Sequence, residues 1–469
     1  MDWTEVKKML KLLQYQDNEI DEQKDRVLRA LKRGRLNDEN ILSAQKNIEQ
    51  DFDLISARQI WGLWFRRFVD LMLCDELGKK IVYHVHPGIP RLHLAMTQIY
   101  KDQLYSDFPD TIIMFNYGRL FDKVARIIEK AEELGLEQTQ AQCAINQVNY
   151  AVVVDDLAPK PDLIVCGRYQ CDQSVKLCEL ISEMKDIPFI TYDTVRDEPW
   201  GFFPKVEQRA VKYFAREYGN ALEEACEVLE IDPLPEEGWK KTRKDYVLPW
   251  ILLNDIHELY INTNPRPAKL KNHVGFPFSV LEPHGDYYQM LLGALQLNLR
   301  ELRERKKAGY GVLPKDAPKV GLMCGVSVGQ HDDADMYEEA GLNVVIPIGA
   351  VWMAPYERGS KEATTHLERI AWSYLCKGYV RASYDHTYRF RVMAEHAKLD
   401  GVVYAVQFSC RVLAPAGYMV KKEVEEKMGV PTMFLEMDGV DPRTHTTESL
   451  RTRVEAFAEL LKSRKTMAA

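Results

Sequence analysis

Twice along this chain, short uninterrupted apolar runs alternate with amphipathic helical stretches, and that alternation restricts the fold more than any other feature. The first series begins near Lys79. Its strands are expected at KIVYHV, TIIMFNYG, PDLIVCG and PFITYD, with helices at RLHLAMTQIYKDQLY, LFDKVARIIEKAEELG and QSVKLCELISEM. The second begins at Lys319. Strands are expected at KVGLMCG, NVVIPIG, GVVYAVQFSC and PTMFLEMD, and helices at DADMYEEAG, 362–377, 386–398, KKEVEEKMG and SLRTRVEAFAELLKSR. Strands that are apolar on both faces suit a sheet covered by helices on both sides, and such sheets are parallel. The pattern predicts an α/β protein with two doubly wound, Rossmann-like (flavodoxin-like) open parallel-sheet domains and additional helical segments.

The rest of the chain falls around these two series. Residues 1–78 mix charged and apolar positions without β-branched alternation, which predicts an N-terminal helical region broken at Asn37-Asp38, a natural helix cap. Residues 79–235 form the expected first α/β domain, 236–310 a helical connecting region, and 311–469 the second α/β domain, with NTNPRPAKLKNHVGFPFS and GYGVLPKDAP as linkers. A hydrophobic share of 46% and an aromatic share of 10% exclude bulk disorder. The balance of 62 Lys and Arg against 70 Asp and Glu leaves a net charge of -8, opposite in sign to the field a nucleic-acid partner requires. The most apolar stretch, WGLWFRRFVDLMLC, is broken by Arg66, Arg67 and Asp70, and no run reaches the roughly 18 residues of a spanning helix. The opening MDWTEVKKML is charged where a secretory signal is apolar. A cytoplasmic protein with neither nucleic acid nor membrane as partner is the expectation.

Nine cysteines, an odd number in a large chain from a reducing compartment, do not read as a disulfide framework. Cys166, Cys171, Cys324 and Cys410 fall at or just past expected strand ends, where open α/β sheets build their sites. Cys74, Cys178, Cys226 and Cys376 lie among apolar helical neighbours and read as core thiols. Converging thiolates suit soft metals and iron–sulfur clusters. No close Cys-x-x-Cys pair is present, so a zinc ribbon is not indicated, and spacing alone leaves a metal–thiolate site and ordinary unliganded cysteines both open. His84 and His86, two apart on a strand, are a weaker candidate metal pair. His331 with Asp332, Asp333 and Asp335 reads better as a capped helix start. There is no P-loop and no Gly-x-Ser-x-Gly elbow.

With their neighbours, the cysteine segments resemble the 2-hydroxyacyl-CoA dehydratase and benzoyl-CoA reductase family. The matching positions are Cys143, Pro161-Asp162 before a strand, Cys171-Asp172 at a helix start, Lys176 one turn on, and Asp193 at the end of the next strand. Late in the chain Phe408-Ser409-Cys410-Arg411 fits, followed by a Gly-Val-Pro turn, FLEMDGVDPR and RTRVEAFAELL. The likeness runs from about 111 to 200 and from about 262 to the end.

The resemblance implies one 4Fe-4S cluster per chain, held by Cys143, Cys171 and Cys410. It also implies a dimer with a paralogous iron–sulfur subunit, whether hetero- or homodimeric, and a separate iron–sulfur ATPase as activator and electron donor. The acyl-CoA substrate is then reduced by one electron, through ketyl-radical chemistry. Arg411 is expected to offset the cluster's charge, to meet a CoA phosphate, or to form a surface ion pair. The run from Cys171 through Gln173-Ser174 to Lys176 leans towards the aromatic-ring reductase branch. The alternatives are a 2-hydroxyacyl-CoA dehydratase subunit, an electron-relay subunit without its own substrate site, or a protein with a double-cubane 8Fe-9S centre. That last reading would recruit Cys166 and Cys324. The sequence departs from the family pattern after Cys143, where Ala144-Ile145-Asn146 replace an aromatic residue or Ser-Tyr.

Overall fold

Among the described residues of the computed structural model, eight short strands pair into two all-parallel sheets of four. The structure describes every residue except 86–89, 138–141, 169–170, 196–200, 204, 274–284, 324–327, 347–362, 376–382, 412 and 469. The first sheet holds β1 (Lys80–His84), β2 (Leu104–Asp107), β3 (Leu163–Gly167) and β4 (Phe189–Tyr192), in the order β2-β1-β3-β4. The second holds β5 (Lys319–Met323), β6 (Asn343–Ile346), β7 (Gly401–Gln407) and β8 (Thr432–Met437), in the order β6-β5-β7-β8. The two orders are the same, so β3 and β7 are equivalent strands. Each lies across the switch point from the strand that opens its sheet, which is where doubly wound folds bind ligands.

Five helices precede the first sheet: α1 (Trp3–Leu12), α2 (Asp17–Glu22), α3 (Lys24–Arg33), α4 (Asp38–Asp51) and α5 (Ile55–Met72). Asn37 caps α4 as its sequence position predicts: its side chain accepts from the Asn40 backbone N–H at 3.1 Å, and the Asn40 side chain answers at 3.2 Å. Asn37→Ala should cost roughly 1 kcal/mol, and an unchanged urea midpoint would refute that. The segment WGLWFRRFVDLMLC forms most of α5 and is buried on all sides. Its charges are neutralised in place: Arg66 pairs with Glu19 at 2.7 Å, and Arg67 pairs with the fully buried Asp107 at the end of β2. Rings of α5 pack into the first sheet's helices, with Trp64 and Phe115 tilted against each other at 5.0 Å between centroids.

Around the first sheet run α6 (Pro90–Ile99), α7 (Pro109–Phe115), α8 (Val124–Glu133), α9 (Ala144–Val154), α10 (Asp172–Lys185) and α11 (Gln208–Leu229). The long α12 (Glu236–Asn262) and α13 (Tyr288–Lys307) lead to the second sheet and its helices α14 (Asp333–Glu339), α15 (His366–Leu375), α16 (Ser383–Ala397), α17 (Leu413–Lys421) and α18 (Thr447–Ala468). Among the described residues no helix is long and apolar enough to cross a membrane.

The segment TIIMFNYG, expected as a strand, is helical instead: it forms α7 and a π-helical turn, Asn116–Leu120. Every residue of both is buried. A helix enclosed on all sides has no polar face, so its apolar run imitates a covered strand. Pro109 supplies the helix start, since proline suits the first helical turn. The strand in its place is LYSD, whose first two residues, Leu104 and Tyr105, lie at the end of the expected helix RLHLAMTQIYKDQLY.

Candidate functional site

In a parallel sheet each crossover helix runs antiparallel to the strands, so helix N-termini gather at the strands' carboxyl edge. Cys143, Cys171 and Cys410 are all placed there, each as the residue that opens a helix. Cys143 is the N-cap of α9 and Cys171 the N-cap of α10, both with extended backbone. The Cys410 carbonyl accepts from the Ala414 N–H at 3.0 Å, so the helical turn leading into α17 starts from it. In each case the residue three positions after the cysteine turns its backbone N–H to the sulfur: Asn146 to Cys143, Ser174 to Cys171, and Leu413 to Cys410, the last at 3.4 Å. A thiol thus occupies the slot that Ser, Asp or Asn usually fills.

Side chains tie the three helix starts together. Ser174 Oγ donates to Asn146 Oδ1 at 3.0 Å, linking α10 to α9. Gln173 Nε2 donates to the Ser409 carbonyl at 3.5 Å, and Arg411 pairs with Asp172 at 3.3 Å, so the Cys171 and Cys410 segments meet although one follows each sheet. Asp438, fully buried just after β8, accepts from Ser409 Oγ at 3.4 Å and from the N–H groups of Val440 and Asp441 at 2.8 and 3.0 Å. Arg411 and Asp172 are both about half exposed, which makes theirs the surface ion pair among the expectations for Arg411.

Burial pushes the Cys143 thiol well above its ordinary pKa, and the charges of Cys171, Asp438 and Cys410 push the same way. Cys171 is also raised by burial, against hydrogen bonds from Ser174 and Gln173. Without a bound cation both are therefore protonated thiols rather than nucleophilic thiolates. The helix N-termini and N–H donors around them favour an anionic sulfur once a metal draws the proton off. In donor type alone, buried sulfurs facing N–H groups suit an anionic, thiolate-bound group. Among the described residues no three of His, Cys, Asp and Glu are grouped so as to hold a metal ion.

The remaining candidates separate clearly. Cys166 lies in β3, buried, with its thiol hydrogen-bonded to that of Cys178 in α10 within the core. Cys74 and Cys226 are buried against the hydroxyls of Tyr83 and Tyr100, at 3.7 and 3.6 Å. Cys324, Cys376 and His86 lie outside the described residues. His84 is buried against Ser106 Oγ at 2.9 Å, and burial lowers its pKa to about 3. Asp332 makes no capping bond, and Asp333 is instead a buried acceptor for Thr447 Oγ1 at 2.8 Å and a partner of His445 Nε2 at 2.9 Å. Sequence reasoning did not find Asn146, Ser174, Ser409 or Asp438. The available signal was a cysteine at or within three residues of a helix start, three times over.

Two parallel four-stranded sheets of the same strand order, flanked by many helices, define the class: an α/β protein of two Rossmann-like halves. Comparison with known proteins gives the family. The profile described as 2-hydroxyglutaryl-CoA dehydratase, D-component, matches residues 112–461, and the chain belongs to this family. Membership places it among enzyme subunits of the lyase type. It is 23% identical to the (R)-2-hydroxyisocaproyl-CoA dehydratase alpha subunit of Clostridioides difficile, over 66% of this chain and 73% of that one. It is 22% identical to the (R)-phenyllactyl-CoA dehydratase alpha subunit of Clostridium sporogenes, over 72% and 80%. Lactoyl-CoA dehydratase subunit alpha of Anaerotignum propionicum is 23% identical over 89% of this chain and 95% of its own length. All three are named as dehydratases. The weight therefore moves from the aromatic-ring reductase branch to the 2-hydroxyacyl-CoA dehydratases, the alternative in the sequence reading.

Proposed function

We propose that the chain is the alpha-type subunit of a 2-hydroxyacyl-CoA dehydratase and holds a 4Fe-4S cluster through Cys143, Cys171 and Cys410. The observation that carries this is the threefold repetition of one device: a cysteine at a helix start with the N–H of the residue three positions on aimed at its sulfur. One such cysteine is a packing accident; three tied together by Ser174–Asn146, Gln173–Ser409 and Arg411–Asp172 are a cradle for an anionic group. When bound, a low-potential cluster supplies single electrons to the thioester, which activates the acyl group for loss of its hydroxyl. The chain's own part is to bury the sulfurs, supply N–H donors to them, and keep three ligands from two sheets at fixed separation. On this reading a second subunit and a separate ATP-driven activator complete the enzyme, and acyl-CoA is the substrate.

Iron and acid-labile sulfide per chain, measured on protein purified without oxygen, test the cluster. About four irons are expected for one cluster on three cysteines. About eight would favour the double-cubane centre. A folded, colourless, iron-free protein would sink the proposal. The branch is tested with the partner subunit, activator and ATP present. Dehydration of at least one of (R)-2-hydroxyisocaproyl-, (R)-phenyllactyl- and lactoyl-CoA is expected, and reduction of benzoyl-CoA without any dehydration would reverse the assignment.

A further inference from the structure

The third residues of α9 and α10 do more than offer their backbone N–H groups. Asn146 is fully buried and Ser174 is 2% exposed, and their side chains meet between the two helices. Asn146 Nδ2 donates in turn to Gln142 Oε1 at 2.8 Å, one residue before Cys143. Ser174 Oγ is also within hydrogen-bonding contact of the Cys171 sulfur. A chain of contacts therefore runs Cys171, Ser174, Asn146, Gln142, from one proposed ligand to the neighbour of another.

A hydroxyl has one proton to give and two lone pairs with which to accept. While Cys171 is a thiol, its S–H can donate to Ser174 Oγ, and the Ser174 proton goes to Asn146 Oδ1. A metal-bound Cys171 is a thiolate with no proton and is a pure acceptor. The Ser174 proton can then turn to the sulfur, and Asn146 keeps its bond to Gln142. Hydrogen bonds to cluster sulfurs and outer-shell contacts set the potential and the retention of the metal. A donor to the thiolate favours the more negative, reduced state.

Resting on the proposed ligation by Cys171 and Cys143, we infer that Ser174 is a positioning residue. Its hydroxyl links the two ligand helices through Asn146 while Cys171 is a thiol, and turns to the Cys171 sulfur and raises the cluster's reduction potential once that sulfur is a bound thiolate. The bland alternative is a buried structural hydrogen bond that the cluster does not sense.

The test compares wild type, Ser174→Ala and Ser174→Thr, all purified without oxygen. The readouts are a redox titration followed by electron paramagnetic resonance and the rate of iron loss to a ferrous chelator. Ser174→Ala should need a more negative potential, by a tenfold change in the reduced-to-oxidised ratio or about 59 mV for a one-electron couple, and should lose iron several times faster. Ser174→Thr, which keeps the hydroxyl, should match wild type. A Ser174→Ala protein that carries iron at the wild-type potential and chelator rate overturns the inference and leaves the cluster reading standing. Iron-free wild type overturns both. Should Ser174→Ala not fold, Asn146→Ala takes its place. That change removes the competing acceptor, so the potential should move in the positive direction, and an unmoved potential overturns the inference.

Discussion

Cys171→Ser and Cys410→Ser are each expected to abolish iron and sulfide binding, whereas Cys178→Ser and Cys166→Ala keep the wild-type iron content. With only three protein ligands, loss of one leaves two, and a serine hydroxyl is a harder and far weaker ligand than a thiolate. Cys143→Ser should behave like the first pair, since Cys143 occupies the same helix-opening slot as Cys171. The controls are as informative as the ligands. Cys166 and Cys178 are buried against each other in the core behind the site, so their thiols are packing groups. Placing a serine hydroxyl at Cys178 costs about 1–3 kcal/mol of desolvation, seen in a urea melt and not in the iron count. Iron analysis, sulfide analysis and the absorption spectrum under anaerobic conditions decide between the sets. Full iron in both Cys171→Ser and Cys410→Ser would sink the three-cysteine assignment. A loss of iron in Cys166→Ala would bring Cys166 into the ligand set and revive the larger cluster.

The contrast between these two groups of cysteines shows what was legible in the sequence. LIVCG and the VGLM of KVGLM are apolar on both faces, a pattern that a covered parallel strand satisfies in few residues. All four strands of the second sheet and three of the first follow from it. TIIMFNYG satisfies the same pattern as a helix because α7 has no face towards solvent. Periodicity cannot separate the two cases, and the Pro109 helix start was the available clue. The positions of Cys171 and Cys410 past their strands were legible for a related reason: strand ends are visible in sequence, and β3 and β7 are equivalent. What joins them was not legible. Ser174 and Asn146 are 28 residues apart on separate helices, and Gln173 and Ser409 are 236 apart, so no local pattern signals either bond. The contacts of His331 escape the sequence for the same reason: a helix does start beside it, with Asp332 at the N-cap position but without a capping bond, while the partners of His331 lie 280 and 209 residues away.

Those partners carry the second large effect. Asp51, the last residue of α4 and 2% exposed, accepts from Lys271 Nζ at 2.7 Å and meets His331 Nδ1 at 2.7 Å. His331 Nε2 meets Asp122 at 2.8 Å, and Lys271 reaches Asp335 at 2.6 Å. One buried carboxylate thus ties the N-terminal helices to the segment before α13 and to the second sheet's first helix. Asp51→Ala leaves Lys271 and His331 buried with one partner each, and should cost roughly 3–5 kcal/mol in a urea melt, the cost of breaking a buried ion pair from one side.

The pH dependence of this hub has two signs. Burial opposes the charge of Asp51, but His331, Arg119 and Lys271 together hold its pKa at about 2, below the ordinary 3.8. Its stabilisation, roughly 2 kcal/mol at one pKa unit per 1.36 kcal/mol, is present above the unfolded value and is lost as pH falls towards 2. Burial also opposes the charge of His331, yet hydrogen bonds to Asp122 and Asp51 outweigh it and raise its pKa above 6.5. That contribution is complete below 6.5 and declines as pH rises through the raised value. The hub is therefore strongest between about 4 and 6.5. Melts at pH 5.5 and 8 should show wild type losing more stability on the alkaline side than His331→Gln, which has nothing to titrate. Equal losses in the two proteins would mean that His331 does not carry the charge that binds these three parts of the chain.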